Sequence, residues 1–246
     1  MAIVLNDLEN RTRTAVAHYW RTLAEQASKQ KTGDADRGTR SAVTGGKQMD
    51  GFCQLVNQVL TDNGMPSVHI YTSKKLELPG YFRPTKRWDM VVAHKGRLVA
   101  ALEFKSQVGP SFGNNFNNRC EEAIGTAQDL WTAFREGAFV TGHRPFLGWV
   151  MLLEDCPKSR SAVAVDEPHF PVFPEFHGSS YGKRYELLLR RLKREQLYDA
   201  AAFLLATKEE GPLGRYSEPA ADLTMRQLLA SLAGHVAGII AGQAGA

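Results

Sequence analysis

Cysteine is scarce in this 246-residue chain, and its three copies, Cys53, Cys120 and Cys156, lie far apart with no C-x-x-C pair. A disulfide framework and a zinc knuckle are thereby excluded, and a reducing cytosol fits. The seven histidines show neither H-N-H zinc spacing nor an H-x-K-type pairing. No apolar run spans a bilayer, because the longest, at about 148–153 and 228–241, are too short or too interrupted. Met1-Ala2-Ile3-Val4-Leu5-Asn6-Asp7 turns acidic within seven residues, unlike a secretory signal, so a cytoplasmic protein without membrane contact is expected. A strong excess of one charge is missing too. Lys and Arg number 30 against 26 Asp and Glu, and the net +4 permits a polyanionic partner without demanding one. With 43% hydrophobic and 23% charged residues, neither disorder nor a repeat architecture is indicated. No domain boundary stands out. The whole of 1–246 reads as one domain, with a core over about 47–155 and a helical, recognition-bearing part over about 157–246.

Hydrophobic spacing predicts a helix from Asn6 to about Gln30 and a second from Lys47 to Asn63, with Gly64 as its stop. Between them, 32–46 is a polar, Gly-rich, basic loop. Strands are predicted at Ser67–Tyr71, Trp88–Ala93 and Leu98–Lys105, the last two joined by the turn His94-Lys95-Gly96-Arg97. A Gly/Asn-rich loop over Pro110–Asn118 precedes a helix over Arg119–Gly137, with Ile124, Ala127, Trp131 and Phe134 inward. Pro145–Leu153 reads as a buried strand. A Pro-rich loop follows over about 157–182, then helices over Tyr185–Leu197, Asp199–Thr207 and Asp222–Ala241. The expected class is α/β: one mixed sheet flanked by helices, with helical additions at the C-terminus.

Asp89 and the run Glu103-Phe104-Lys105 carry the chemistry. Strand alternation sends Glu103 and Lys105 to one side, and Leu102 and Phe104 to the other. A hairpin turning at 94–97 folds Asp89 back beside the end of the second strand, so two carboxylates meet one ammonium. Phosphodiester hydrolysis uses such a set. Carboxylates hold Mg²⁺, with the Phe104 carbonyl as a possible further ligand, and a lysine orients or deprotonates water or offsets growing charge. Glu-x-Lys alone equally describes an exposed ladder of opposite charges.

The spacing Asp89…Glu103-x-Lys105 resembles the PD-(D/E)xK nuclease superfamily. Three longer stretches resemble the XhoI family of type II restriction endonucleases within it. They are Leu78-Pro79-Gly80-Tyr81-Phe82-Arg83-Pro84-Thr85-Lys86-Arg87-Trp88-Asp89, Val108-Gly109-Pro110-Ser111-Phe112-Gly113-Asn114-Asn115-Phe116-Asn117-Asn118-Arg119, and Pro168-His169-Phe170-Pro171-Val172-Phe173-Pro174. The resemblance implies a restriction-endonuclease-like core and a homodimer that binds double-stranded DNA at the palindrome CTCGAG and cuts both strands with Mg²⁺. One departure is that Trp88, not proline, precedes Asp89.

Related nucleases often bring a helix carboxylate to the metal, which makes Asp50 a candidate ligand. An acid near a helix N-terminus is also favoured by the dipole alone. Gln107 continues the Glu103/Lys105 face and could touch the scissile phosphate, though strand polarity explains it nearly as well. Arg reads guanine and Asn reads adenine in the major groove. Asn114, Asn115, Asn117, Asn118 and Arg119, directly after the catalytic strand, are therefore candidates for base readout, or simply a turn-rich helix cap. Lys183–Arg194 carries six basic residues against one acid, with Lys183, Arg190 and Arg194 roughly on one face. These would contact phosphates or form a solvated face. The 157–182 loop, with Lys158, Arg160 and His169, is a second recognition candidate. Two other functions remain open: a structure-specific repair or junction nuclease, and a non-catalytic DNA-binding module.

Overall fold

Apolar residues fill nearly all of the segment from Phe146 to Glu154, and a strand with no polar face must be covered on both sides. The computed structural model, which describes residues 3–31, 47–139 and 143–243, meets that need with a sheet between two helical layers. The sheet has five strands in the order β1 (Ile70–Tyr71), β4 (Met90–His94), β5 (Arg97–Gln107), β6 (Phe146–Glu154) and β7 (Ala200–Ala206). β1, β4 and β5 pair antiparallel, whereas β5, β6 and β7 pair parallel. A separate hairpin, β2 (Glu77–Pro79) and β3 (Thr85–Arg87), stands beside this sheet.

Helices α1 (Leu8–Lys31), α2 (Asp50–Asp62) and α5 (Met225–Gln243) cover one face, where Phe52, Val56, Leu229 and Val236 join Met90, Leu102, Phe104 and Val150. Helices α3 (Phe112–Arg135) and α4 (Tyr181–Arg194) cover the other, where Phe112, Trp131 and Leu189 join Ala101, Trp149, Met151 and Phe203. α3 carries the chain from β5 to the parallel β6, and α4 from β6 to β7. Alternation along β5 puts Leu102 and Phe104 into the first layer, and turns Glu103, Lys105 and Gln107 towards α3 and α4. The β4–β5 turn follows the expected chemistry, with Lys95 and Gly96 at φ 50° and 76°. Gly64, at φ 94°, ends α2 as expected.

Several expectations are corrected. Asp199–Thr207 was expected to be helical, and its alanines favour that locally. It is instead strand β7, whose Ala200 to Leu204 are buried against β6. Burial on both faces outweighs helix propensity there. α3 begins at Phe112, not at Arg119, so the Gly/Asn-rich segment is helix rather than loop. Phe112 and Phe116 explain this, because both are buried and pack on Tyr181 or Tyr185 of α4. Ile124, expected inward, is 47% exposed. Ser67–His69 is a 3-10 turn, which leaves two residues for β1. The β2–β3 hairpin was not anticipated. The 157–182 segment contains a single helical turn, Pro157–Arg160, a 3-10 turn, Pro174–Phe176, and the start of α4 at Tyr181, four residues before the expected Tyr185. The basic loop at 32–46 lies outside the described residues. No helix among the described residues is long and apolar enough to cross a membrane.

Candidate active site

β4 stops pairing with β5 at Met90↔Leu102, so the β5 backbone beyond that point has no strand on its β4 side. Asp89 fills the gap. Its Oδ2 accepts a hydrogen bond of 2.8 Å from the Phe104 N–H. A strand residue directs its N–H and C=O to the same side, so the Phe104 carbonyl faces the same opening. Continuing the register sets Asp89 beside Glu103.

Glu103 is 3% exposed. A carboxylate so buried needs counter-charge, and two ammonium groups supply it. Lys86 Nζ lies 2.6 Å from Oε1, and Lys105 pairs with Oε2. Lys105 also sits 3.0 Å from Glu122 Oε1 on α3 and 3.7 Å from Asp89 Oδ2. Arg119 closes the cluster through Glu122. Asp89, Glu103 and Lys105, named from spacing, are thus brought together. Burial raises the Glu103 carboxyl above the ordinary glutamate value, although Lys105 opposes it. For Lys105, burial works downward. Glu103, Asp89 and Glu122 outweigh it and hold the ammonium well above the usual lysine range. Burial would also raise Glu122, but Lys105 and Arg119 bring it below its ordinary value.

Sequence reasoning missed Lys86 and Glu122. Lys86 lies inside a quoted motif, but only the β2–β3 hairpin brings it to Glu103. Glu122 carries no sequence signal at all, since the β5–α3 crossover alone makes its contact. Trp88, which stands where the superfamily has proline, is buried in the core with the Lys86 ammonium 5.2 Å over its ring.

Among the described residues, no three His, Cys, Asp or Glu side chains form a metal cage by themselves. The donor set still suits a hard dication. Two carboxylates, Asp89 and Glu103, and one backbone carbonyl, Phe104, are all oxygen, and Mg²⁺ normally keeps several waters. Asp50 opens α2 and makes no ion pair with this cluster among the described residues. Its charge and that of Asp89 both act on Cys53, whose thiol is pushed up to about 12, mainly by burial. Gln107 does not reach the surface. It is buried, its Nε2 donates to the Phe112 carbonyl at 3.0 Å, and its Oε1 accepts from the Tyr185 hydroxyl. Gln107 therefore fixes the start of α3 against α4 and is not placed to meet a phosphate.

Asn114, Asn117 and Asn118 are exposed and, at i, i+3 and i+4, share one face of the first two turns of α3. Asn115 and Arg119 are half-buried. On α4, Arg190 binds Asp222 through Nη2 at 2.7 Å and also pairs with Glu186, while Lys183 lies 2.9 Å from Glu186. Lys183 and Arg194 remain exposed. In the 157–182 segment, Lys158 donates to the Pro110 carbonyl at 2.8 Å and Arg160 pairs with Asp155.

Asp129 of α3 ties the β2–β3 hairpin to the site. Its buried carboxylate accepts from the N–H groups of Tyr81 and Phe82 at 2.7 and 2.8 Å, and from Arg83 Nε at 2.7 Å. Burial would raise this carboxyl, but those donors bring it below its ordinary value of 3.8. A depressed carboxylate stabilises the fold fully above its unfolded pKa, and that contribution is lost as pH falls through the folded value. Asp129→Ala should therefore cost about 3 kcal/mol near pH 7, lowering the melting temperature by roughly 5–10 °C. The gap from wild type should narrow only in strong acid. Equal melting of the two proteins at pH 7 would show that Asp129 does not hold the hairpin.

The family model for restriction endonuclease XhoI matches residues 28–218. The chain is 52% identical to the type II restriction enzyme BstVI of Geobacillus stearothermophilus over 215 residues, covering 85% of this chain and 96% of that one. It is 49% identical to the type II restriction enzyme XhoI of Xanthomonas vasicola over 197 residues, covering 78% of each. Against the type II restriction enzyme AbrI of Azospirillum brasilense the identity is 54% over 172 residues, covering 69% of this chain and 77% of that one. No solved structure matches the chain.

Proposed function

The chain belongs to the restriction endonuclease XhoI family, and from that premise we propose that it cuts both strands of duplex DNA at CTCGAG, as a homodimer that depends on Mg²⁺. Its activity is that of a type II restriction endonuclease, a site-specific deoxyribonuclease. The observation that carries the catalytic assignment is the convergence of Asp89, Glu103 and Lys105 where β4 leaves β5 unpaired.

Asp89, Glu103 and the Phe104 carbonyl would hold the cation, with Asp50 a more distant candidate on α2. A dication bound there supplies Lewis acidity and makes water a stronger nucleophile at neutral pH. Lys105, held between Glu103 and Glu122 of α3, offers a positive charge to the phosphate as negative charge grows on it. Glu122 holds that ammonium in place, and Lys86 provides a second cation at Glu103. A two-fold dimer suits a palindrome, since each half-site meets the same surface. The whole chain, 1–246, would act as one endonuclease domain.

Base readout is assigned to the exposed asparagines at the start of α3, on a helix whose N-terminus also favours phosphate. Asn117→Ala or Asn118→Ala should cost about 1–3 kcal/mol on a CTCGAG duplex and much less on a scrambled one. Arg194→Ala should weaken both duplexes alike and flatten the salt dependence by about one phosphate contact. Arg190→Ala should leave the salt slope nearly unchanged, because Asp222 and Glu186 already hold that guanidinium. Salt titrations on both duplexes measure all four. Equal losses on both duplexes for the asparagine variants would make α3 a backbone clamp and move readout to 157–182.

The broader test is a digest of one mixed-sequence plasmid with Mg²⁺ and with a chelator. Discrete fragments ending at CTCGAG only with Mg²⁺ are expected. Scattered cutting, or cutting with the chelator, would overturn the proposal.

A further inference from the structure

Two large aromatic side chains on the hairpin that carries Lys86 are exposed and belong to neither core layer. Tyr81 and Phe82 sit at the tip of the β2–β3 hairpin, 54% and 71% exposed, with ring centroids 5.1 Å apart in an edge-to-face arrangement. Isolated exposed aromatics are ordinary, but this tip is built. Asp129 takes both of its N–H groups and Arg83 as well. Gly80 permits the turn, since a Cβ there would come 2.5 Å from Asp129 Oδ2 and 2.7 Å from the Arg83 carbonyl. The rings are therefore held outward on a fixed backbone.

Position and charge indicate what they meet. The same hairpin delivers Lys86 to Glu103, so the tip and the reacting centre belong to one rigid unit. An open cavity of about 390 Å³ lies between the hairpin and α3, lined by Phe82, Arg83 and Lys86 and by Glu121, Glu122 and Asp129. Residues 73–87 carry five cations, of which Arg83, Lys86 and Arg87 pair with Asp129, Glu103 and Glu77, while Lys74 and Lys75 are exposed. A nucleic-acid strand suits the rings by its π-faces and Lys74 and Lys75 by its phosphates.

We propose that Tyr81 and Phe82 form an aromatic wedge that enters the base stack of the bound duplex beside the scissile phosphate, with Phe82 leading. The proposal rests on the DNA-cleaving function above and adds to it a contact that separates base steps. Apolar wedges unstack base pairs where a protein gains surface by doing so, and aromatic rings stack on any base.

The test uses the full-length protein, with calcium replacing magnesium to keep the complex uncut. Duplexes carry one 2-aminopurine in turn at the adenine of the site and at each flanking position. Wild type should raise the fluorescence several-fold at one position, and Phe82→Ala should abolish that rise. Phe82→Trp, which keeps a ring, should retain it. Affinity for the site should fall roughly ten- to hundredfold in Phe82→Ala, as for a lost base–aromatic stack, with the salt slope and melting temperature unchanged. If wild type cuts the plasmid but no position brightens, or if Phe82→Ala brightens as wild type does, the wedge is overturned while the cleavage function stands. A Phe82→Ala that keeps the fluorescence rise but becomes monomeric also overturns it, since the tip is then a subunit contact. A wild-type digest with no cutting overturns both, and the digest alone shows it.

Discussion

Glu103→Gln should leave a folded protein that binds its duplex and cuts it at least about 10³-fold more slowly. The substitution keeps the volume of a side chain that is almost wholly enclosed. It removes the charge that a hard cation requires and that Lys86 and Lys105 both face. Alanine is the poorer choice here. It would empty that volume and leave Lys86 and Lys105 no oxygen there to donate to, whereas the glutamine amide keeps one. Asp89→Asn is the companion variant. Asp89 is more exposed, so its loss should be milder for stability and comparably severe for cleavage. DNA affinity without metal should hold or rise in both variants, since a carboxylate no longer faces the phosphates. Single-turnover cleavage in Mg²⁺, alongside binding and circular dichroism, measures this. A wild-type cleavage rate in either variant would remove that residue from the site.

Lys105→Ala should lower the single-turnover rate by about 10²–10³-fold, the range for losing one preorganised charge stabiliser, with a much smaller loss of affinity. Cation and general base are separable roles. A lysine that accepts a proton at neutral pH needs a depressed pKa. Without the cation, Glu103, Asp89 and Glu122 raise that of Lys105, and with a dication taking the charge of Glu103 and Asp89 the Glu122 carboxylate still faces it. Lys105→Arg, which keeps the charge, should therefore recover part of the rate. The wild-type pH–rate profile should show no limb that disappears in this variant. A profile that loses its acid limb in Lys105→Arg would make Lys105 the base. Equal losses of rate and affinity in Lys105→Ala would make it a phosphate contact only.

The convergence of Asp89, Glu103 and Lys105 was legible because each part has a local signature. Period-2 alternation puts Glu103 and Lys105 on one face. A turn whose Lys95 and Gly96 take positive φ sets the hairpin that returns Asp89 to Glu103. The helices α1 and α2, the strands β4 to β6 and the mixed sheet between helices follow from periodicity in the same way. The resemblance of the three long motifs carried the family, which pattern alone does not reach.

Contacts between elements distant in the chain were not legible. Whether Ala200–Ala206 is strand or helix depends on β6 waiting with an unpaired edge, and no property of those alanines announces it. Whether Phe112–Asn118 is loop or helix depends on tyrosines nearly seventy residues onward in α4. The same holds for Gln107, whose polar amide suggested a surface role until α3 and α4 closed over it. Lys86, Glu122 and Asp129 lie 17, 19 and 26 residues from Glu103 in sequence, on either side of it. Only the hairpin's docking onto α3 gathers them. Sequence by itself determined which chemistry is present and which strand presents it, since alternation and turn geometry act over a few residues. The tertiary structure decided how that chemistry is charged, because the ion pairs that set it are made across the fold.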